Sequence, residues 1–97
     1  MQTISADEFY QKSKKDQLNI IDVREADEFA SGHIPNAINM PLSSLARHIN
    51  DLDTNVHYYF ICASGSRSNM AATALSKNGF NITNVLGGMS AWKGEVV

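Results

Sequence analysis

Apolar and polar positions follow two rhythms along this chain, and the rhythm changes at punctuating residues. Ser5-Ala6-Asp7-Glu8 has the form of a capping box, with Ser5 accepting from the amide three residues on and Glu8 reaching back. A helix is therefore expected over residues 6 to 14, with Phe9 turned to the core. Leu18-Asn19-Ile20-Ile21-Asp22-Val23 is short, rich in β-branched residues and bounded by polar ones, which suits a strand buried on both faces of a parallel sheet. It runs into a charged group, Asp22, Arg24 and Glu25. Residues 25 to 30 are expected to form one or two helical turns. Gly32-His33-Ile34-Pro35-Asn36 is turn chemistry leading to a second strand, Ala37-Ile38-Asn39-Met40, which Pro41 stops.

Downstream, Ser43 or Ser44 can cap a helix in which Leu45, Ile49 and Leu52 recur at helical spacing, with residues 51 to 55 closing it as a loop. Residues 57 to 61 read as a strand. The helix expected from about Ser66 to Asn78 places Met70, Ala71, Ala74 and Leu75 on one face, with Gly79 as its C-terminal cap. Asn81 to Leu86 gives a last strand, and Gly87-Gly88-Met89-Ser90-Ala91-Trp92 a tight turn into a short helix. Strands and helices alternate throughout, the pattern of an α/β fold whose parallel sheet is covered by helices on both faces. No repeat, linker or low-complexity segment interrupts it.

Composition narrows the functional classes. At 97 residues the chain is expected to form one domain over residues 1–97, burying about two-thirds of its unfolded surface. A net charge of -2 and a pI near 5.8 argue against nucleic acid or an anionic membrane as the main partner. No apolar run approaches the roughly 20 residues of a spanning helix, and the N-terminus lacks the order of a signal peptide. A soluble, cytoplasmic monomer is the expectation. One cysteine cannot form an internal disulfide, and His33, His48 and His57 show no metal-ligand spacing with it.

That cysteine, Cys62, ends the apolar run Tyr58-Tyr59-Phe60-Ile61 and opens Cys62-Ala63-Ser64-Gly65-Ser66-Arg67 at a helix start. A lone cysteine is ordinarily a small buried apolar side chain. This one sits where a thiolate would be favoured. If residues 62 to 67 curl around the sulfur, backbone N–H groups point inward and the following helix adds its positive end. Gly65 and the small Ala63, Ser64 and Ser66 let the chain wrap closely. Arg67 adds a permanent charge suited to a multi-oxygen anion. Ser64, Ser66 and Ser68 either donate hydroxyls to a substrate or cap the helix.

Four segments, taken in order and spacing, resemble the single-domain rhodanese (thiosulfate sulfurtransferase) family over nearly the whole chain. They are Ile21-Asp22-Val23-Arg24-Glu25, Gly32-His33-Ile34-Pro35-Asn36-Ala37-Ile38-Asn39, Cys62-Ala63-Ser64-Gly65-Ser66-Arg67-Ser68 and Gly87-Gly88-Met89-Ser90-Ala91-Trp92. The resemblance implies a five-stranded parallel sheet flanked by helices on both faces. It also implies that Cys62 accepts a sulfane sulfur as a persulfide, with Ala63, Ser64, Gly65, Ser66, Arg67 and Ser68 holding the outer sulfur. A donor such as thiosulfate would load the cysteine, and cyanide or a thiol, a protein thiol included, would unload it. No metal or organic cofactor is required.

Four residues separate Cys62 from Arg67, whereas the related phosphatases and arsenate reductases have five, a wider ring that fits a tetrahedral oxyanion. Sulfur transfer with negligible phosphatase activity is therefore expected. The loop lacks the basic residue that follows the cysteine in some larger thiosulfate enzymes, which makes thiosulfate a convenient donor rather than the physiological one. Asp22 and Arg24 are read as a tie between loops, His33 as a loop-fixing hydrogen-bonding residue, and His48 and His57 as surface residues. Met89 and Trp92 are either an apolar wall of the site or core. Two alternatives stay open: a non-enzymatic rhodanese-like module that binds a partner or senses oxidation, and a domain excised from a larger redox protein.

Overall fold

The structure is a computed structural model and describes residues 1–97. In chain order its elements are β1 (Gln2–Ser5), α1 (Ala6–Lys15), β2 (Asn19–Asp22), α2 (Ala26–Ala30), β3 (Ile38–Asn39), α3 (Leu45–His48), β4 (His57–Ile61), α4 (Ser66–Ser76), β5 (Asn81–Leu86) and α5 (Gly88–Ala91). The five strands form one sheet, ordered β1-β5-β4-β2-β3, with every pair parallel. Each parallel neighbour needs a crossover, and the helices supply the crossovers, as the alternating rhythm of the sequence requires.

The pleat of β4 divides the core. Tyr58, Phe60 and Cys62 face one side, where Leu45, Ala71, Ala72 and Leu75 cover them. Tyr59 and Ile61 face the other, where Phe9 and Ala6 of α1 join Val85 and Ile34. Fully burying an apolar side chain of this size contributes about 1.5–3 kcal/mol. Because β4 is buried at its last four positions, it is a rigid stem for the loop that follows. The chain leaves β2 toward β3 on one side and β4 toward β5 on the other. The carboxyl ends of β2 and β4 thus flank the switch point where crossovers diverge, the usual place for a site in an open α/β sheet.

Several elements differ from what the periodicity predicts. β1 carries no strand signal, because it is a four-residue edge strand with only Ile4 half-buried, and its partner β5 is some 80 residues away in sequence. The amphipathic helix expected after Ser43 is instead a 3-10 turn (Leu42–Ser44), one turn of α-helix and a second 3-10 turn (Ile49–Asp51), tightened so that Leu45 and Leu52 both reach the core. In α4 the buried stripe is Ser68, Ala71, Ala72 and Leu75, and Met70 is 60% exposed. Successive helical residues are rotated by about 100°. A helix that points Ser68 inward must therefore turn Met70 and Ala74 out.

Candidate active site

Cys62 lies one residue beyond β4, with no exposed surface. Its Sγ accepts hydrogen bonds from Gly65 N (3.1 Å), Ser68 N (3.3 Å) and Ser68 Oγ (3.3 Å). Burial pushes the thiol up, but the Ser68 hydroxyl and the amides of Ser68, Gly65 and Ser64 together outweigh it and hold the thiol below its ordinary value. The loop thus curls around the sulfur as its composition predicts.

Two features enforce that curl. Gly65 has φ 101°, a left-handed conformation that an L side chain enters only at a cost, and a Cβ there would stand 3.1 Å from Gly87 N. On the far side, Met89 N donates to Cys62 O (2.8 Å) and Ser90 N to Ala63 O (2.9 Å). With these carbonyls drawn outward, the loop's later N–H groups are free to face the sulfur. Gly88 makes the approach possible, since a Cβ on it would lie 2.2 Å from Cys62 O. The Gly87-Gly88 pair is therefore part of the site's scaffold.

Behind the sulfur lies a buried polar group that the sequence does not announce. Ser68 Oγ also donates to Asn84 Oδ1 on β5 and contacts Gly65 O (3.2 Å), while Asn84 Nδ2 donates to Gly65 O (3.3 Å). Ser68 and Asn84 are 0% and 1% exposed. One hydroxyl proton cannot serve three neighbours at once. It can rest on Asn84 while Cys62 is a thiol and turn to the sulfur when Cys62 ionises. Asn84 reads in sequence as one more polar position in a strand, and only its burial reveals it.

Arg67 is not directed at the sulfur. Its Nη1 and Nη2 donate to Glu28 Oε1 (2.6 Å) and Oε2 (2.9 Å) across 39 residues of sequence. Hydrogen bonding to Arg67 and to Glu25 N lowers the Glu28 carboxyl to about 2, and Glu28 in turn raises the Arg67 guanidinium. The positive charge expected to stand free at the loop's end is thus paired, because α2 meets the start of α4 at the switch point. Ala63 is half-buried, and Ser64 and Ser66 sit at the exposed rim with their hydroxyls 3.3 Å apart.

The remaining candidates are structural. Arg24 Nε and Nη2 bind both carboxylate oxygens of Asp22 at 2.8–3.1 Å, and Nη2 reaches Gly32 O at 2.8 Å, closing the loop after β2. His33 stacks on Phe29 and bonds through Nδ1 to Phe29 O (2.8 Å). His57 is half-buried rather than on the surface. It meets Thr83 Oγ1 at 2.7 Å, and burial holds it below its usual value. Trp92 packs on Phe9 and Tyr10, on the α1 side of the sheet, as core. Among the His, Cys, Asp and Glu side chains no group of three is placed to hold a metal ion.

Residues 5–95 match the family described as Rhodanese-like domain. The chain belongs to the rhodanese-like domain family. It is 44% identical over 94 residues to the putative sulfur carrier protein YrkF of Bacillus subtilis, covering 95% of this chain and 51% of that one, so the chain spans about half the length of that relative. It is 42% identical over 80 residues to the putative sulfurtransferase YtwF of the same organism, covering 82% of this chain and 78% of that one. The crystal structure of a rhodanese-like domain protein from Staphylococcus aureus superposes with a TM-score of 0.91 at 38% identity, covering 98% of this chain and 94% of that one. No helix in this rhodanese-like chain is long and apolar enough to cross a membrane.

Proposed function

We propose that the chain is a sulfurtransferase in which Cys62 carries the sulfur. The supporting observation is the set of three donors converging on Sγ, which favours an anionic sulfur in an otherwise buried position. In the first half-reaction the Cys62 thiolate attacks the sulfane sulfur of a donor. A new S–S bond forms, the donor's own bond to that sulfur breaks, and the leaving group departs with the bonding pair. In the second, a thiolate or cyanide attacks the outer sulfur and releases the Cys62 thiolate. The N–H groups of Ser66 and Arg67, first-turn donors of α4 without an intrahelical acceptor, are available to the terminal charge of the persulfide. One cradle then serves both halves of the cycle. The reading extends to a cytoplasmic setting and to acceptors that include protein thiols.

A second reading draws on the complete burial of Cys62, as expected of a structural thiol in a partner-binding or redox-sensing module. Mass spectrometry separates the two. After incubation with a sulfane donor, the sulfurtransferase gains one sulfur on Cys62, loses it on addition of cyanide, and shows no gain in Cys62→Ser. An unmodified Cys62 with every donor would favour the module. The tight ring from Cys62 to Arg67 adds an expectation of no measurable hydrolysis of an aryl phosphate.

A further inference from the structure

The charge distribution at the mouth of the loop bears on which donor the site takes, an inference that rests on the sulfurtransferase reading. Every donor that touches Cys62 Sγ is a neutral N–H or O–H group. The one cation of the loop, Arg67, has both Nη groups engaged by the two oxygens of Glu28. Glu28 is itself held in place by Glu25 N, which donates to Oε1 at 3.0 Å, and the Glu25 carboxylate accepts from Ser43 Oγ at 2.6 Å. Arg67 senses the charges of Glu28, Cys62 and Glu25 together. Arg24, the other nearby guanidinium, is closed on Asp22.

A bidentate arginine–carboxylate pair presents little net charge to a third ion. A dianion such as thiosulfate approaching the Cys62 thiolate would have to displace Glu28, and the displaced carboxylate would remain beside it. Its leaving group, sulfite, carries two negative charges that the loop does not otherwise neutralise. A persulfide donor makes no such demand. Its terminal sulfur needs the N–H groups the loop offers, and its leaving group is a thiol.

We propose that the Glu28–Arg67 pair is a specificity device that selects small organic or protein persulfides over thiosulfate as the sulfur donor. In the favoured step Cys62–S⁻ attacks the terminal sulfur of R–S–SH. A bond forms between Cys62 Sγ and that terminal sulfur, the donor's S–S bond breaks with its electron pair going to the departing R–S⁻, and the proton passes to that thiolate, giving Cys62–S–S⁻ and R–SH. No electron acceptor or donor is needed. Glu28 is a positioning residue here, acting through Arg67.

The test compares Cys62 loading by thiosulfate and by the persulfide of 2-mercaptoethanol, followed by mass spectrometry in single turnover, for the native chain, Glu28→Gln and Glu28→Gln/Arg67→Gln. Glutamine keeps the length of the side chain and its bond to Glu25 N, and a thermal melt checks that each variant is folded. In the native chain the second-order constant for the persulfide should exceed that for thiosulfate by about 100-fold. Glu28→Gln should raise the thiosulfate constant about tenfold and change the persulfide constant by less than about twofold. The double variant should lose the thiosulfate gain. A persulfide-to-thiosulfate ratio unchanged by Glu28→Gln, or native preference for thiosulfate, overturns the donor assignment while leaving sulfur transfer intact. Loading by neither donor overturns both.

Discussion

Two buried polar clusters sit side by side at the carboxyl end of the sheet, one after β2 and one after β4, and they are built on opposite principles. In the Asp22–Arg24 cluster the charges answer each other: the carboxylate accepts three times from the guanidinium and once from the Arg24 amide, and the guanidinium also caps Gly32 O. In the Cys62–Ser68–Asn84 cluster a single hydroxyl proton is shared among more acceptors than it can satisfy. Closure makes the first cluster inert and structural. The second leaves the Ser68 hydroxyl a choice between the Asn84 oxygen and the Cys62 sulfur, so its hydrogen bonding can follow the charge on the sulfur.

The largest expected effect comes from breaking the closed cluster. Arg24→Met leaves the fully buried Asp22 carboxylate without its partner and should destabilise the fold by ~3–5 kcal/mol, read as a lowered urea midpoint. The open cluster should respond in the other observable. Ser68→Ala removes the hydroxyl that favours the thiolate, so Cys62 alkylation should titrate at higher pH and slow by about three- to tenfold at neutral pH. Its stability cost is smaller, about 1–3 kcal/mol, from the unpaired Asn84 oxygen. If Arg24→Met altered Cys62 titration more than stability, or Ser68→Ala the reverse, the contrast between the clusters would fail.

The smallest effect belongs to the half-buried Glu28–Arg67 pair. Glu28 falls from its ordinary 4.5 to about 2 in the folded chain. A depressed carboxyl contributes stability that is fully present above the unfolded value and lost as pH falls through the folded one. Acid titration of the native chain should therefore show a modest loss of stability between pH 4.5 and about 2 that Glu28→Gln lacks. Solvent and salt screening keep it small, and added salt should reduce it further.

What could be read along the chain was local. Half of the capping box at Ser5 is present: Glu8 N donates to Ser5 Oγ at 3.1 Å, while the Glu8 side chain makes no return bond to Ser5 N. The strand before Cys62, the left-handed Gly65 and the helix start after it follow from residue types within ten positions of one another. The family resemblance extended this to five parallel strands, one more than periodicity marks, and the structure places the fifth at the edge, as β1.

Sequence by itself determined that a cysteine stands at the end of a buried strand in a small-residue loop, because strand period, glycine freedom and helix capping act over a few residues. Tertiary structure decided how that cysteine is tuned. Asn84 reaches Ser68 across 16 residues, Glu28 reaches Arg67 across 39, and the Met89 and Ser90 amides hold the Cys62 and Ala63 carbonyls from beyond β5. Each of these depends on which strands the sheet places together, and a one-dimensional pattern does not specify the side chains that meet at a switch point. The charge of Arg67 is in the sequence, but its availability is a property of the fold.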